Sequence, residues 1–322
     1  MIDSTRKLLA LINQGKTASE ISSEMGISNR QLFNRLTMIR NKGFDFDRKY
    51  YDTGDIIYVP KKNINSNTQD GVSVITDKNS LNYTALVLSD IHLGSGFEIQ
   101  GVMDKVYDFC VREGIHNIIM TGDILDGTFN KIPPKISDPY EQIEYFLKIY
   151  PFDKSILNFS ILGDHDYSIL RTTGQDFSNV FDSYRHDIIH LGYGYGSLNI
   201  KDDSIGLRHT VKGVSGNSFD DNNLLFFGHS HNLKVIPNGK KNIIYVPSLS
   251  DLCLYKLGYE GLPSMLLLKL NFNNNIISNA YINQLVVLDK IYFVNEMVLS
   301  IASSKKGDFN NIEDYSKVFV KK

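Results

Sequence analysis

The stretch ALVLSDIH, residues 85–92, decides the fold. Residues 85–88 have the length and composition of a buried β-strand, and an acid and an imidazole, Asp90 and His92, follow at once. In open α/β sheets, ligands bind outside the carboxyl ends of the strands. Because a two-residue step restores side-chain direction in extended chain, both side chains are expected to point to one place. The stretch therefore predicts a strand that leads into a functional site.

The same arrangement recurs downstream. Strand candidates at 117–120, 159–162 and 224–227 each lead into a short polar motif that begins with glycine, and a solitary histidine lies between the last two. These motifs are Gly122-Asp123-x-x-Asp126, Gly163-Asp164-His165-Asp166, His209 and Gly228-His229-Ser230-His231. Five of the chain's eight histidines lie in the five motifs, so the pattern predicts one site rich in carboxylates and imidazoles. Such groups hold divalent cations.

The segments between the motifs complete the fold class. Helical periodicity at 101–113 and 139–150 alternates with the strand candidates, which also include 243–246. This alternation predicts an α/β architecture for residues 83–322. The last forty residues, 283–322, contain a strand-like piece and a polar tail, for which we predict sheet completion or an interface and no chemistry.

Composition limits the function classes. The 322 residues are 42% hydrophobic and 22% charged, which suits a packed core in one large domain or a large and a small one. The net charge of −2 gives no global basic field, so any contact with nucleic acid must be local. Cys110 and Cys253 both lie in apolar stretches and are read as buried thiols. With no signal-peptide pattern and no long apolar run, we expect a cytoplasmic protein.

The pattern of residues 1–60 predicts that they form a separate small domain, and residues 61–82 are predicted to form a polar linker. The helices of the small domain are expected at 5–13, at 17–25 with Thr17 as N-cap and Gly26 as the stop, and at 29–41. A β-hairpin follows at 45–60, with its turn at residues 52–55. This order resembles a winged helix-turn-helix domain.

The third helix carries a candidate nucleic-acid surface. Its apolar face, Leu32, Phe33, Leu36 and Ile39, is expected to be buried. The remaining surface is polar and basic, with no acid from residue 25 to residue 44. Such side chains read base edges and hold phosphates, and we assign them to DNA contact: Arg30, Gln31, Asn34, Arg35, Arg40 and Lys42.

The five motifs resemble the signature of the calcineurin-like metallophosphoesterase superfamily over residues 83–250. The resemblance implies a four-layer α/β/β/α sandwich with two divalent ions at one edge, Mn²⁺ first and Fe, Zn, Ni or Mg as alternatives. It implies one metal held by Asp90, His92 and His231, and a second held by Asp164, His209 and His229. Asp123 would bridge the two.

The resemblance also implies roles around the metals. His165 would stand near the leaving-group oxygen, oriented by Asp126, and Asp166 would support the loop. Asp164 departs from the pattern, because the superfamily usually has Asn there. The extra negative charge is expected to tighten metal binding and to disfavour an anionic substrate. The implied reaction is phosphoester hydrolysis, in which a water activated by a dinuclear metal centre attacks phosphorus in line.

The substrate stays open among three hypotheses. LSDIHLGSGF, TGDILDG and the insertion IPPKISDPYEQIEYFLKIYP resemble the exonuclease small subunit of archaeal family D DNA polymerases, although its Tyr-Pro-Gly-Gln stretch is missing. The leading hypothesis is therefore a metal-dependent DNA phosphodiesterase. The alternatives are a phosphoesterase for cyclic nucleotides or similar small molecules, and a DNA-binding regulator that senses a nucleotide. A homodimer is possible in each case, and no membrane contact is expected.

Overall fold

A computed structural model describes residues 2–40, 46–60, 72–76, 80–129, 134–212, 222–238, 241–251 and 261–301. Within these ranges the helices are α1 (Ile2–Asn13), α2 (Ala18–Met25), α3 (Asn29–Arg40), α4 (Val102–Glu113), α5 (Pro139–Ile149), α6 (Asp164–Thr173) and α7 (Ser178–Tyr184). The first strands are β1 (Phe46–Tyr51), β2 (Ile56–Pro60), β3 (Val72–Ile75), β4 (Asn82–Leu88), β5 (Asn117–Thr121), β6 (Leu157–Leu162), β7 (Ile188–Tyr193) and β8 (Tyr195–Ile200). The remaining strands are β9 (Asp203–Arg208), β10 (Leu224–Phe227), β11 (Lys234–Asn238), β12 (Lys241–Tyr245), β13 (Ser264–Asn273), β14 (Ile276–Val287) and β15 (Ile291–Ser300).

A seven-stranded sheet has the order β15-β14-β13-β4-β5-β6-β7. Strands β4 to β7 are parallel, and helices α4, α5 and α6–α7 lie in the connections between them. Parallel neighbours need such crossovers. The carboxyl ends of β4, β5 and β6 therefore lie side by side at one edge, while β13, β14 and β15 extend the sheet in antiparallel fashion.

An eight-stranded sheet has the order β11-β12-β10-β9-β8-β3-β1-β2. Its strands β9, β10 and β12 are parallel, so the carboxyl ends of β9 and β10 also lie side by side. Strands β7, β8 and β9 follow one another in the chain without a helix between them, which carries the chain from the first sheet to the second. The predicted α/β class is confirmed.

The two faces of β4 contribute to two different apolar cores. Ala85 and Val87 join the core that contains both sheets, whereas Leu86 and Leu88 pack with helices α4 to α7. All four side chains are fully buried. A strand that is covered on both faces has a continuous run of apolar residues, which explains the sequence of residues 85–88.

The helices form two groups. Helices α4 to α7 cover the outer face of the seven-stranded sheet. Helices α1 and α2 lie against strand β2 of the eight-stranded sheet. Together with α3 and the β1–β2 hairpin, they contribute side chains to the core that contains both sheets. The four-layer arrangement stays a prediction.

The amino-terminal elements form where the sequence places them. Thr17 caps α2 in a reciprocal capping box with Glu20, and Gly26 ends the helix in the left-handed conformation. Leu32, Leu36 and Ile39 are buried as predicted. The three helices are followed by the predicted hairpin. The domain boundaries themselves stay a prediction.

Part of the predicted linker is structured. Residues 72–75 form β3, which lies between β1 and β8 and pairs in parallel with both. The hairpin therefore belongs to the eight-stranded sheet rather than standing apart from it. Its turn packs tightly on the rest of the chain, because a Cβ added at Gly54 would lie 2.1 Å from the carbonyl oxygen of Ser155.

Three smaller expectations have clear outcomes. Strand β15 completes the edge of the seven-stranded sheet, as predicted for part of 283–322. Cys110 is a buried free thiol, while Cys253 lies outside the described residues. No helix in the described part of the chain is long and apolar enough to cross a membrane.

Candidate metal centre

All five motifs lie directly after strands. Asp90 and His92 follow β4, Asp123 follows β5 and Asp164 follows β6, at the edge where these parallel strands end. His209 follows β9, and the pair His229 and His231 follows β10, in the other sheet. The sequence placed four motifs at strand ends, and β9, which it did not predict, supplies the fifth.

The candidate ligands form two adjoining clusters. In the first, His231 Nε2 lies 3.1 Å from Asp90 Oδ1, and His92 Nε2 lies 3.8 Å from the same oxygen. In the second, Asp164 Oδ1 lies 3.1 Å from His209 Nε2 and 3.2 Å from His229 Nδ1. Each cluster could hold one metal ion.

Asp123 lies between the clusters. Its Oδ2 is 3.0 Å from His209 Nε2 in the second cluster and 3.9 Å from His92 Nε2 in the first. Its Oδ1 accepts a hydrogen bond from the backbone N–H of His165 at 3.0 Å, so the side chain is held in place. This is the position that a bridging carboxylate requires.

The backbone at these residues is unusual. Positive φ angles occur at Asp90 (53°), His92 (50°), Asp123 (54°), His229 (70°) and His231 (61°). Such left-handed conformations are uncommon outside glycine and cost about 1–3 kcal/mol each, so their clustering indicates a functional site. They also correct the reasoning from the sequence: Asp90 and His92 converge through left-handed backbone, not through the alternation of extended chain.

The buried polar atoms test whether the residues fit metal ions. Both ring nitrogens of His92 are buried without a hydrogen-bond partner, and the buried Asp90 Oδ1 and Asp123 Oδ2 have only the histidine contacts given above, which lack hydrogen-bond geometry. Leaving such atoms unpaired costs about 1–3 kcal/mol apiece, and more for a charge. Carboxylate oxygens and imidazole nitrogens are suitable ligands for Mn²⁺, Fe²⁺ or Zn²⁺. The donor set and its unpaired atoms fit divalent cations.

Neighbouring groups orient the ligands. His209 Nδ1 is 2.7 Å from the carbonyl oxygen of Thr121, so Nδ1 carries the proton and Nε2 faces the second cluster. Asp90 Oδ2 accepts hydrogen bonds from the Ser89 hydroxyl and from the backbone N–H of His229, which leaves Oδ1 for the first cluster. Sequence reasoning missed Ser89, although it lies directly before the first motif.

Two glycines allow the strand ends to approach one another. A Cβ at Gly228 would lie 2.5 Å from His209 Nδ1, from Ser89 Oγ and from the Thr121 carbonyl oxygen. At Gly122, where φ is +104°, a Cβ would lie 2.6 Å from the same His209 nitrogen. The glycines before Asp123 and His229 are therefore needed for close packing around His209.

Asp126 contacts His165 through its backbone. His165 Nδ1 donates to the backbone carbonyl of Asp126, not to its carboxylate. The Asp126 carboxylate instead lies 3.7 Å from His92 Nδ1. The carboxylate of Asp126 therefore faces a candidate metal ligand, while its backbone orients His165.

Asp166 is a structural residue, in the place where a loop support was expected. Its buried carboxylate accepts hydrogen bonds from the backbone N–H groups of Ile124, Leu125 and Gly163. It thereby joins the Asp123 loop to the start of α6, which carries Asp164. Burial and the charge of Asp123 raise the pKa of Asp166 to about 7, although the three donors oppose that shift.

The charges of the clusters compensate one another. Burial alone would raise the pKa of Asp90, but His231, His92 and His209 hold that pKa well below its usual range. Burial alone would lower the pKa of His209, but Asp123, Asp164 and Asp90 raise it well above its usual range. In the metal-free chain His209 is therefore protonated at neutral pH, and a bound cation would take the place of that proton.

Phe129 is a second residue that sequence reasoning missed. Its ring meets the ring of His165 edge to face, with 4.8 Å between centroids, and 41% of the residue is exposed. It therefore forms an apolar wall beside the candidate proton donor. The motif Gly122-Asp123-x-x-Asp126 ends three residues before it, and no feature of residue type marks it in the sequence.

The structure places the candidate nucleic-acid residues on α3 with mixed exposure. Arg30, Gln31 and Asn34 are exposed, and Arg35 is half-buried. Gln31 is engaged, because its side chain and that of Ser28 form a reciprocal capping box at the start of the helix. The side chain of Arg40 and all of Lys42 lie outside the described residues.

No protein-family model and no curated protein matches the chain. Among solved structures, vacuolar protein sorting 29 from Cryptosporidium parvum is 15% identical with a TM-score of 0.41, over 69% of this chain and 100% of the other. Yfce, a phosphoesterase from E. coli, is 14% identical with a TM-score of 0.40, over 68% and 100%. An archaeal phosphodiesterase is 13% identical with a TM-score of 0.35, over 57% and 92%. At these levels of likeness the geometry of the site must carry the function.

Proposed function

We propose that this protein is a two-metal-dependent phosphodiesterase of the calcineurin-like superfamily that acts on nucleic acid. One observation carries the proposal: seven acids and imidazoles converge from five strand ends, and both ring nitrogens of the buried His92 have no hydrogen-bond partner. A purely structural cluster of this kind would pair those atoms. Divalent cations at the two clusters would lower the pKa of a bound water and neutralise the phosphoryl oxygens.

The chain's own groups supply position and proton transfer. Asp90, His92 and His231 would hold one ion, and Asp164, His209 and His229 the other, with Asp123 shared. His165 is placed to protonate the departing oxygen through Nε2, because its Nδ1 donates to the Asp126 carbonyl. Burial alone would lower the pKa of His165, but the charge of Asp123 and the bond to Asp126 raise it. An imidazole that stays protonated near neutral pH suits a general acid.

The amino-terminal elements support a polymeric substrate. Three helices and a hairpin follow one another in the order of a winged helix-turn-helix domain, and the exposed Arg30 and Asn34 on α3 can contact phosphates or bases. A small-molecule phosphoesterase needs no such surface. We therefore place DNA first among the substrates, and Mn²⁺ first among the ions.

An activity panel tests the proposal. The full chain, loaded in turn with Mn²⁺, Mg²⁺, Zn²⁺ or Ni²⁺, is assayed on single-stranded and duplex DNA, RNA, cyclic nucleotides and chromogenic phosphomonoesters and diesters. We expect oligonucleotide hydrolysis that is strongest with Mn²⁺. Asp123→Ala should raise the activation barrier by several kcal/mol and so lower the rate of hydrolysis on the order of a thousandfold. His165→Ala should lower the rate by about 10²–10⁴-fold. Asp108→Asn, at an exposed acid on α4, is the matched control and should retain full activity.

The outcomes separate the three hypotheses. Hydrolysis of cyclic nucleotides with no action on any oligonucleotide would replace the nucleic-acid substrate by a small molecule. Tight oligonucleotide binding with no turnover under any metal would instead favour a regulator that senses a nucleotide. Turnover that is unchanged in Asp123→Ala would contradict the assigned centre.

A further inference from the structure

A second candidate site lies at the opposite edge of the seven-stranded sheet. A groove of about 770 Å³ runs between α3 and the segments that precede β6 and β7. Its volume falls within the roughly 300–1,000 Å³ of ligand sites. Because the metal cluster lies after the carboxyl ends of the same strands, the groove is not part of that centre.

One wall of the groove is the polar side of α3. Arg30, Phe33 and Asn34 line it. The ring of Phe33, which the sequence predicted as part of the buried face, is half-buried and lies 4.1 Å from the ring of His186 between centroids. The helix therefore rests directly on the α/β body, and the face assigned to DNA contact looks into the groove.

The other wall carries two aromatic rings that are unusually open to solvent. Phe152 is 61% exposed and Tyr184 is 65% exposed, and both line the groove. Exposed apolar rings of this kind mark binding surfaces when they stand together in a concave site. Aromatic side chains are also the platforms on which unpaired bases stack.

The charges of the groove favour an anion. Arg30 and Lys154 are exposed, and neither forms an ion pair with any described residue. The one acid in the lining, Asp187, is neutralised by Arg185, whose guanidinium donates to both carboxylate oxygens at 2.7 and 2.9 Å. Arg185 also donates to the carbonyl oxygens of Tyr150 and Pro151, so it forms the floor of the groove. The remaining charge is positive.

The shape of this surface disfavours a duplex. A recognition helix must enter a major groove that is about 12 Å wide, which a helix of 10–12 Å diameter fills. Arg30 and Asn34 of α3 line a groove whose other wall carries Phe152 and Tyr184, which leaves less room for a duplex on this side of the helix. A single strand with splayed bases matches the exposed rings.

We infer that this groove binds a single-stranded stretch of nucleic acid, with bases stacked on Phe152 and Tyr184 and phosphates near Arg30 and Lys154. This inference deepens the proposed function. Binding of the strand in the groove is independent of the metal centre, but hydrolysis of the bound strand rests on the proposed function. Strand β6, which lies between the two sites, has six residues and is about 20 Å long. A substrate must therefore span at least about 20 Å, or several nucleotides, to reach both sites.

Binding without catalysis is measured first. Fluorescence anisotropy follows labelled 12-nucleotide dT and U strands and a 12-base-pair duplex against the full chain in EDTA, at low and moderate salt. We expect single strands to bind more tightly than the duplex, with an affinity that falls as salt rises. Phe152→Ala and Tyr184→Ala should each weaken strand binding about tenfold, within the range measured for base stacking. Tyr140→Ala, at a ring on α5 that is 52% exposed and outside the groove lining, is the matched control and should bind as the parent does.

A direct readout of stacking uses the absence of tryptophan from the chain. Phe152→Trp creates one reporter in the groove, and Tyr140→Trp creates one outside it. Quenching of the first by dT12 with no change in the second supports stacking at Phe152. Equal quenching of both, or none in either, overturns it, because folded single-tryptophan variants exclude loss of structure as the cause.

The two proposals fail in different ways. If strands bind through Phe152 and Tyr184 but no metal yields hydrolysis, the groove stands and the phosphodiesterase falls. If the parent ignores single strands, or prefers the duplex with unchanged affinity in both alanine variants, the groove assignment is wrong whatever the activity. Preference between the dT and U strands decides whether DNA or RNA is the natural occupant. With both sites functional, Phe152→Ala should raise KM for a 12-nucleotide substrate and leave a chromogenic diester unaffected.

Discussion

The metal cluster and the α3 groove are built in opposite ways. Each ligand of the cluster follows a strand by one to four residues, and five of the seven have a positive φ. The groove is assembled from side chains of α3, α5, α7 and loops that lie far apart in the chain, and its key rings are exposed rather than buried. The metal cluster arises from a local arrangement that recurs at five strand ends. The groove forms only after distant segments of the chain have packed together.

This difference predicts how each site responds to mutation. Changes that disturb the backbone around His209 should abolish metal binding, since every ligand there depends on close approach of strand ends. Changes in the groove should alter affinity for the substrate and leave the metals in place. Four further measurements test that separation.

The largest effect on metal affinity is expected at Gly228. In Gly228→Ala the new Cβ would lie 2.5 Å from the backbone carbonyl of Thr121 and from His209, so these strand ends must separate. We expect at least a 10–100-fold loss of Mn²⁺ affinity, the scale of damage seen when groups that orient ligands are removed. Gly15→Ala is the control, because a Cβ there meets nothing within 4 Å although φ is +72°. Calorimetric titration measures both. Unchanged affinity in Gly228→Ala would show that the packing around His209 is dispensable.

The next effect concerns the junction between α3 and the body. Leu32 is fully buried in the core that also contains Phe159 of β6 and Leu266 of β13. Leu32→Ala should cost about 2–5 kcal/mol in the free energy of unfolding, and the loss should appear in one transition of the whole chain. Denaturant unfolding followed by circular dichroism tests this. Two separate transitions, only one of them shifted, would restore the independent domain that residues 1–60 were predicted to form.

A smaller effect is expected at Asp164. Burial opposes ionisation of this carboxyl, but hydrogen bonds from His209 and His229 hold its pKa well below the usual range, so it carries a full negative charge. Asp164→Asn removes that charge. We expect Mn²⁺ to bind several-fold more weakly and, at saturating metal, the diester to be hydrolysed faster than by the parent. Tighter metal binding in the variant, measured by the same titration, would contradict the electrostatic account of this position.

The smallest effect is a dependence on pH. The pKa of His209 is raised in the metal-free chain, so the proton on this group stabilises that state at low and neutral pH, and the stabilisation is lost as pH rises through the raised pKa. Metal binding must release this proton, and Mn²⁺ affinity should rise with pH. Calorimetry in two buffers of different ionisation enthalpy counts the protons. Equal observed enthalpies in both buffers would show that no proton is displaced.

The sequence predicts the cluster better than the groove for a physical reason. A motif such as Asp90-Ile91-His92 needs only its own strand and turn to aim its ligands, and the strands β4, β5, β6 and β10 were all recognisable from apolar runs. The directions of the Asp90 and His92 side chains were attributed to extended chain, because a left-handed backbone conformation cannot be recognised from residue type. Strand β9 was missed for want of a clear period, so His209 was placed by the family pattern alone.

The predictions that depended on packing fared less well. Phe33 was assigned to a buried face from helical period, yet it lies in the groove against His186. Gln31 was assigned to DNA contact; its side chain caps α3 with Ser28, and the assignment itself stays a prediction. Phe152 and Tyr184 had no signal, since an isolated aromatic residue in a loop is ambiguous until its neighbours are known. Val72–Ile75 was read as linker because its four residues are too few to show alternation.

The most direct test of the central claim is the number of metal ions that the chain holds. Metal-free protein is dialysed against Mn²⁺ and the bound metal is counted by mass spectrometry, for the parent chain and for Asp123→Ala. The two clusters predict two ions per parent chain and fewer than two in Asp123→Ala, with loss of oligonucleotide hydrolysis in the same sample. A parent chain that binds no Mn²⁺, or an Asp123→Ala variant that keeps two ions and full activity, would contradict the account.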